Sequence, residues 1–148
     1  LLAVAGVEFL IGGAAAMTIL RLCVPWLVIL VLAFANGALR ELLLLPWIGY
    51  PWALVLSGLL LCAGVVLVTW FSLAAMKLKN VAQAFAVGAF WLALTLVFEF
   101  GFGRFVQGKP WSDLLDAYTF ARGNLWPLVL LFILLSPLVI HRLRPAGT

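Results

Sequence analysis

Between Leu22 and Leu45 the chain reads LCVPWLVILVLAFANGALRELLLL, an apolar run that nevertheless holds Asn36, Gly37, Arg40 and Glu41. About 20 apolar residues, each rising about 1.5 Å in a helix, cover the roughly 30 Å of a bilayer's hydrocarbon. No water is available there to satisfy backbone groups, so a run of this kind must be helical. Three more runs follow, at 52–74, 81–102 and 125–140. They predict an all-α integral membrane four-helix bundle, with a short interfacial helix between spans three and four.

Composition excludes an ordinary water-soluble domain. The 148 residues are 67% hydrophobic and 9% charged, against roughly 45–50% apolar and 25% charged in globular chains. The formal charge of +4 is dispersed at the ends of the runs and forms no patch, so it carries no nucleic-acid meaning. Cys23 and Cys62 lie in separate apolar runs and His141 is the single histidine. That pattern predicts no metal site, no cofactor and no disulfide chemistry; the thiols read as small buried hydrophobes.

Residues 1–16, LLAVAGVEFLIGGAAA, read as an upstream extension or an N-terminal addition, with a single four-span domain over 17–148. Met17-Thr-Ile-Leu-Arg21 looks like a start with a basic residue ahead of the first span, and no loop separates Glu8 from Arg21 that could reverse the chain. Pro25 falls in the first turn, and Pro46 is expected to break the helix before Trp47, Tyr50 and Trp52, aromatic residues at headgroup depth. The second span carries Ser57, Gly58, Cys62 and Gly64. Ala82, Ala86, Ala89 and Ala93 form a small-residue stripe on the third, which marks it as the centre of the bundle. Trp91 reads as packing bulk, and Ser57, Ser72 and Ser136 as back-bonded to their own helices. In the polar segment 107–124, Ser112 is the expected N-cap of the interfacial helix, and Asp113 and Asp116 the anions of its first turn. Pro127 and Pro137 lie in the fourth span, and Gly101 and Gly103 end the third without forming a phosphate motif.

Arg21, Lys77, Lys79, Arg142 and Arg144 fall on one side of such a bundle with no acidic neighbour; Arg40, Arg104, Lys109 and Arg122 fall on the other among Glu41, Glu99, Asp113 and Asp116. Positive charge stays inside, so both termini are expected in the cytoplasm.

Asn36 and Arg40 share a helix face. An unpaired guanidinium at the bilayer centre costs about 2.5–3.5 kcal/mol on insertion scales. Arg40 is therefore expected to meet Glu99, at similar depth in the third span, with Asn36 adding a hydrogen bond and Gly37 making room. Glu41 and Arg104 complete this intramembrane polar cluster. Such a pair either fixes the register of the bundle or lines an outward pocket for an ion, a proton or a lipid headgroup; the alternative to pairing is that Arg40 simply snorkels outward. Asp113 and Asp116 lack a neighbouring nucleophile or base and read as capping charges.

The segment Phe34-Ala35-Asn36-Gly37-Ala38-Leu39-Arg40-Glu41, then Pro46 and Gly49, then Phe98-Glu99-Phe100, resembles a group of small, uncharacterised bacterial inner-membrane proteins with four spans. The resemblance implies a multi-pass protein of the bacterial inner (plasma) membrane in which Arg40 and Glu99 are the positions to watch. It implies no reaction. The residues themselves point away from an enzyme and toward an accessory or structural subunit of a membrane assembly. Its partners would be the lipid bilayer and other membrane subunits or further copies of itself. Two alternatives stand beside that one: a small oligomeric transporter or channel subunit, and a membrane enzyme acting on lipid headgroups.

Overall fold

The computed structural model describes the backbone of residues 2–144 and the side chains of residues 18–144. Among the described residues the chain is helix and turn, with no strand. Four stretches are long and apolar enough to cross a membrane: Thr18–Ile48, Trp52–Met76, Val81–Val106 and Trp126–Leu143. Each includes the run expected from sequence to within a residue at its start, and extends beyond it at its end.

The first stretch begins inside α1 (Leu2–Leu39), which passes Met17 as one unbroken helix. The expected boundary at Met17, with Glu8 and Gly12-Gly13, concerns side chains outside the described residues. Pro46 does not break the helix. The backbone widens into a π-helical turn over Arg40–Leu44, where the Leu45 N–H reaches the Arg40 carbonyl. A proline ring crowds the preceding turn and offers no N–H, and a wider turn relieves both problems. Pro46 then sits in the first turn of α2 (Leu45–Ile48), which ends at Gly49 with φ +65°, a conformation that suits glycine.

The second stretch is α3 (Trp52–Met76), ended by Lys77 in the left-handed region. Next is α4 (Val81–Gly101), capped by Asn80, whose side chain accepts from the Gln83 N–H at 2.9 Å. Gln83 in turn accepts from the Lys79 N–H at 2.8 Å. A second π-helical turn, Phe102–Val106, extends α4. The connection contains α5 (Trp111–Asp116) and a 3-10 turn, Ala121–Gly123, before α6 (Trp126–Leu143). Its details depart from expectation. Pro110, not Ser112, holds the N-cap position, and the Ser112 hydroxyl donates to Asp113. Asp113 lies in the first turn, whereas Asp116 is the last residue of α5.

The spans lie side by side in the order α1, α3, α6, α4, and α1 scarcely meets α4. The inner helices are therefore α3 and α6, and the third span, α4, lies at the edge. The stripe of α4 that packs is also different: Ala84, Val87, Gly88, Trp91 and Thr95 are buried, while Ala82, Ala86 and Ala93 face outward. Alanines recur on both faces of α4, so their spacing alone does not tell the packed stripe from the outer one. Gly88 marks it, since a Cβ there would lie 1.9 Å from the Leu134 carbonyl oxygen of α6.

Lipid tails are as apolar as leucine, so burial alone does not drive these helices together; close packing and interhelical hydrogen bonds do. Trp91 is fully buried among Val65, Val129 and Ile133. Its indole Nε1 donates at 2.8 Å to the Leu22 carbonyl, on the turn of α1 that Pro25 disturbs. The Thr69 hydroxyl meets the Ser136 hydroxyl at 3.0 Å, so Ser136 joins α6 to α3 instead of bonding back to its own helix. Cys62 is buried and Cys23 half-buried, both as free thiols.

Candidate functional site

Polar side chains collect at the end of the bundle where the Arg40–Leu44 turn, the end of α4, the 107–124 connection and the start of α6 converge. Two adjoining cavities open there. The larger, of about 730 Å³, is lined by Asn36, Ser57, Asp116 and Arg122 among others. The smaller, of about 430 Å³, lies between α1 and α4, with Phe34, Phe98, Phe102 and Lys109 in its walls. Arg40, Glu41, Glu99, Ala117 and Trp126 line both.

Arg40 and Glu99 thus share a cavity, but they do not pair. Arg40 Nε donates to its chain neighbour Glu41 at 3.0 Å, the one ion pair among the described residues. That pair is open to solvent on the Glu41 side and is worth about 0–1 kcal/mol. Glu99 is engaged elsewhere: its Oε2 accepts from the Tyr118 hydroxyl at 2.6 Å and from Trp126 Nε1 at 3.0 Å. The physical reason is that two neutral donors can approach one carboxyl oxygen with little loss of hydration, whereas a guanidinium must give up far more. Arg40, at the start of a widened turn near the end of its helix, keeps access to water instead.

The remaining expected members separate. Asn36 bonds across to α3, donating from Nδ2 to the Ser57 hydroxyl at 2.8 Å and to the Ser57 carbonyl at 3.1 Å. The Ser57 hydroxyl therefore accepts from a neighbouring span, where a bond back to its own helix was expected. The Asn36 Oδ1 is buried with no hydrogen-bond partner among the described residues. Gly37 makes room for no ion pair, since a Cβ there would meet nothing within 4 Å. Arg104 stands outside both cavities, with its guanidinium 5.9 Å from the centre of the Trp111 ring and Nη1 donating to the Lys109 carbonyl. Asp113 lines the smaller cavity and Asp116 the larger, so the two do not form one acid–base pair.

Tyr118, Asn124 and Trp126 complete the site and were not singled out from sequence. Asn124 shapes the entry to α6: its Oδ1 accepts from the Trp126 N–H at 3.0 Å and its Nδ2 donates to the Ala117 carbonyl at 2.8 Å. This clasp holds the Trp126 indole and the Tyr118 phenol on the same carboxyl oxygen. Stacking of Tyr118 on Phe100, with rings 5.6 Å apart and nearly parallel, adds a second hold. Burial first, and then the bond to Glu99, push the Tyr118 phenol above its ordinary range, so it remains a donor well into alkaline conditions.

Below the cavities the bundle closes. Trp26 Nε1 donates to the Thr95 hydroxyl at 3.1 Å, and Thr95 donates to the Trp91 carbonyl at 2.8 Å. Under this floor lie Trp91 and Val65, both fully buried, and the buried Thr69–Ser136 pair. Chemically the site offers hydrogen-bond acceptors at its depth and mixed charge at its rim. No three His, Cys, Asp or Glu side chains gather as a metal-ligating set among the described residues. Compared with protein-family models, with curated proteins and with solved structures, the chain gives no match, and the site is read from its geometry.

Proposed function

We propose that this chain is a multi-pass protein of a bacterial inner membrane, with both termini in the cytoplasm. In that reading it is an accessory subunit of a membrane assembly that binds a polar group at one face and does not transport it. One observation carries the reading: Arg40, Glu41, Glu99 and Arg122 converge on cavities at a single end of the bundle. Support also comes from the other end, where Trp91 and the Thr69–Ser136 contact occupy the space a conduction path would need. The charge at the cavity rim is mixed, which suits holding a zwitterionic or hydrogen-bonding group better than passing one ion type.

The test has two arms. Mild detergent extraction of the native protein, followed by mass spectrometry, is expected to recover it at fixed stoichiometry with other membrane subunits or with further copies of itself. The purified chain in planar bilayers is expected to pass no ion current above the lipid background. Recovery as a solitary monomer, or a conductance that Glu99→Gln abolishes, would overturn the proposal.

A further inference from the structure

The bundle is open on one side. Because α1 scarcely meets α4, the gap between them is bridged by side chains instead of by close backbone approach. Phe34 of α1 stands edge-on to Phe98 and Phe102 of α4, with ring centres 6.0 and 6.1 Å apart. Phe98 and Phe102 stack at 5.3 Å, so the α4 side of the slot is a continuous aromatic wall. The smaller cavity lies in this slot, with Leu30 and Ala33 at its apolar end and Glu99, Gln107 and Lys109 at its polar end. A cavity that is apolar along its length, polar at one end and lateral to a membrane helix has the shape and polarity of an amphiphile.

The polar end specifies more. Glu99 Oε2 is taken by Tyr118 and Trp126, but Oε1 has no hydrogen-bond partner among the described residues. The buried Oδ1 of Asn36, a residue in the wall of the adjoining cavity, is a second acceptor without a partner among the described residues. A carboxylate oxygen left open in a cavity wall can take a donor from a ligand. Lys109 lines the same small cavity and makes no ion pair among the described residues. A carboxylate with one oxygen open, in a cavity that Arg40, Glu41, Lys109 and Asp113 also line, is complementary to a head that carries both a donor and an anion.

We infer that the site takes a phospholipid with a primary-amine headgroup. One acyl chain lies between Phe34 and the Phe98–Phe102 wall, the ammonium lies on Glu99 Oε1 and the phosphodiester lies toward Lys109. The inference rests on the proposed binding function and names its ligand. A primary ammonium supplies three N–H donors, of which Glu99 Oε1 takes one. A choline head has the same charge but no N–H to give, and a glycerol head lacks the positive charge.

The test uses the full chain purified in detergent and freed of lipid. Phosphatidylethanolamine, phosphatidylcholine and phosphatidylglycerol with identical acyl chains are offered in turn, and bound lipid is counted by native mass spectrometry. Phosphatidylethanolamine is expected to be retained about tenfold more tightly than the other two, as one charge-assisted hydrogen bond provides. Glu99→Gln, which keeps an oxygen for Tyr118 and Trp126, is expected to remove most of that preference with unchanged circular dichroism. Lys109→Ala is expected to weaken the ethanolamine and choline lipids alike and leave their ratio intact. Equal retention of the ethanolamine and choline lipids, or a preference for phosphatidylglycerol, overturns the amine assignment while leaving a polar-ligand site standing. Binding of free ethanolamine with no lipid retained overturns the lipid assignment in the same way. Failure to bind any of the lipids or ethanolamine removes both the ligand and the binding function on which it rests.

Discussion

Alanine at position 88 is expected to cost this protein more stability than alanine at any other described glycine of its helices. A Cβ on Gly88 would lie 1.9 Å from the Leu134 carbonyl oxygen and 2.8 Å from its carbon, both backbone atoms of α6. No rotamer change relieves such a clash, so α4 and α6 must separate along the most extensive helix contact in the bundle. Overpacking commonly costs about 1–3 kcal/mol, and contact with backbone belongs at or above the upper end. A loss of about 3 kcal/mol corresponds to a fall in Tm on the order of 10 °C for a chain of this size. Gly37→Ala is the matched control, because a Cβ there meets nothing within 4 Å. It is expected to leave Tm within about 2 °C, since alanine is a slightly better helix former than glycine. Thermal unfolding in detergent, followed by circular dichroism, checks both. Equal effects of the two substitutions would contradict the close α4–α6 approach.

The second large effect is expected at Glu99. Glu99→Ala strands two donors, the Tyr118 hydroxyl and Trp126 Nε1, which now share one carboxyl oxygen. A buried donor left without an acceptor costs about 1–3 kcal/mol, so a total of about 3 kcal/mol is expected from the pair. Glu99→Gln keeps an oxygen in place and is expected to cost about 1 kcal/mol or less. The diagnostic is the double variant Glu99→Ala with Tyr118→Phe. It removes one of the stranded donors and is expected to be more stable than Glu99→Ala alone, an outcome impossible if Glu99 acts only by filling space. The phenol reports the same contact. Tyr118 titrates above its ordinary range because of burial and then the bond to Glu99. A raised folded value means that the fold favours the neutral phenol. That contribution is intact below the unfolded value and is lost as pH rises through the folded one. In a Tyr50→Phe background, ultraviolet titration is expected to show Tyr118 ionising at lower pH in Glu99→Gln than with Glu99 present. It should still ionise above the ordinary value, since burial is the larger cause.

Much of the architecture was legible because it follows from the length of apolar runs. Four spans, their approximate limits and the free cysteines come directly from hydropathy and spacing. The gathering of Arg40, Glu41 and Glu99 at one end was legible too, since depth along a helix is countable from its ends. Partner choice was not. Glu99 pairs with Tyr118 and Trp126, side chains delivered by a connection whose path depends on the Asn124 clasp and on turns that no apolar periodicity encodes. Nor was helix order. The alanines of α4 face both ways, and the burial of Ala84 beside the exposure of Ala82 and Ala86 is decided by where α6 lies. Pro46 misled for a local reason: a π-helical turn absorbs a proline that an α-helix would reject.

The four helices form a bundle with polar-lined cavities at one end and buried side chains beneath. Cysteine labelling tests it most directly, in full-length protein with Cys23 and Cys62 replaced by alanine. Ala117, which lines both cavities, and Ala84, fully buried on α4, each become the single thiol in turn. In sealed vesicles a membrane-impermeant maleimide is expected to modify Ala117→Cys from one side only and to leave Ala84→Cys unmodified until the protein is denatured. Modification of Ala84→Cys in the folded protein, or of Ala117→Cys from neither side, would contradict the account.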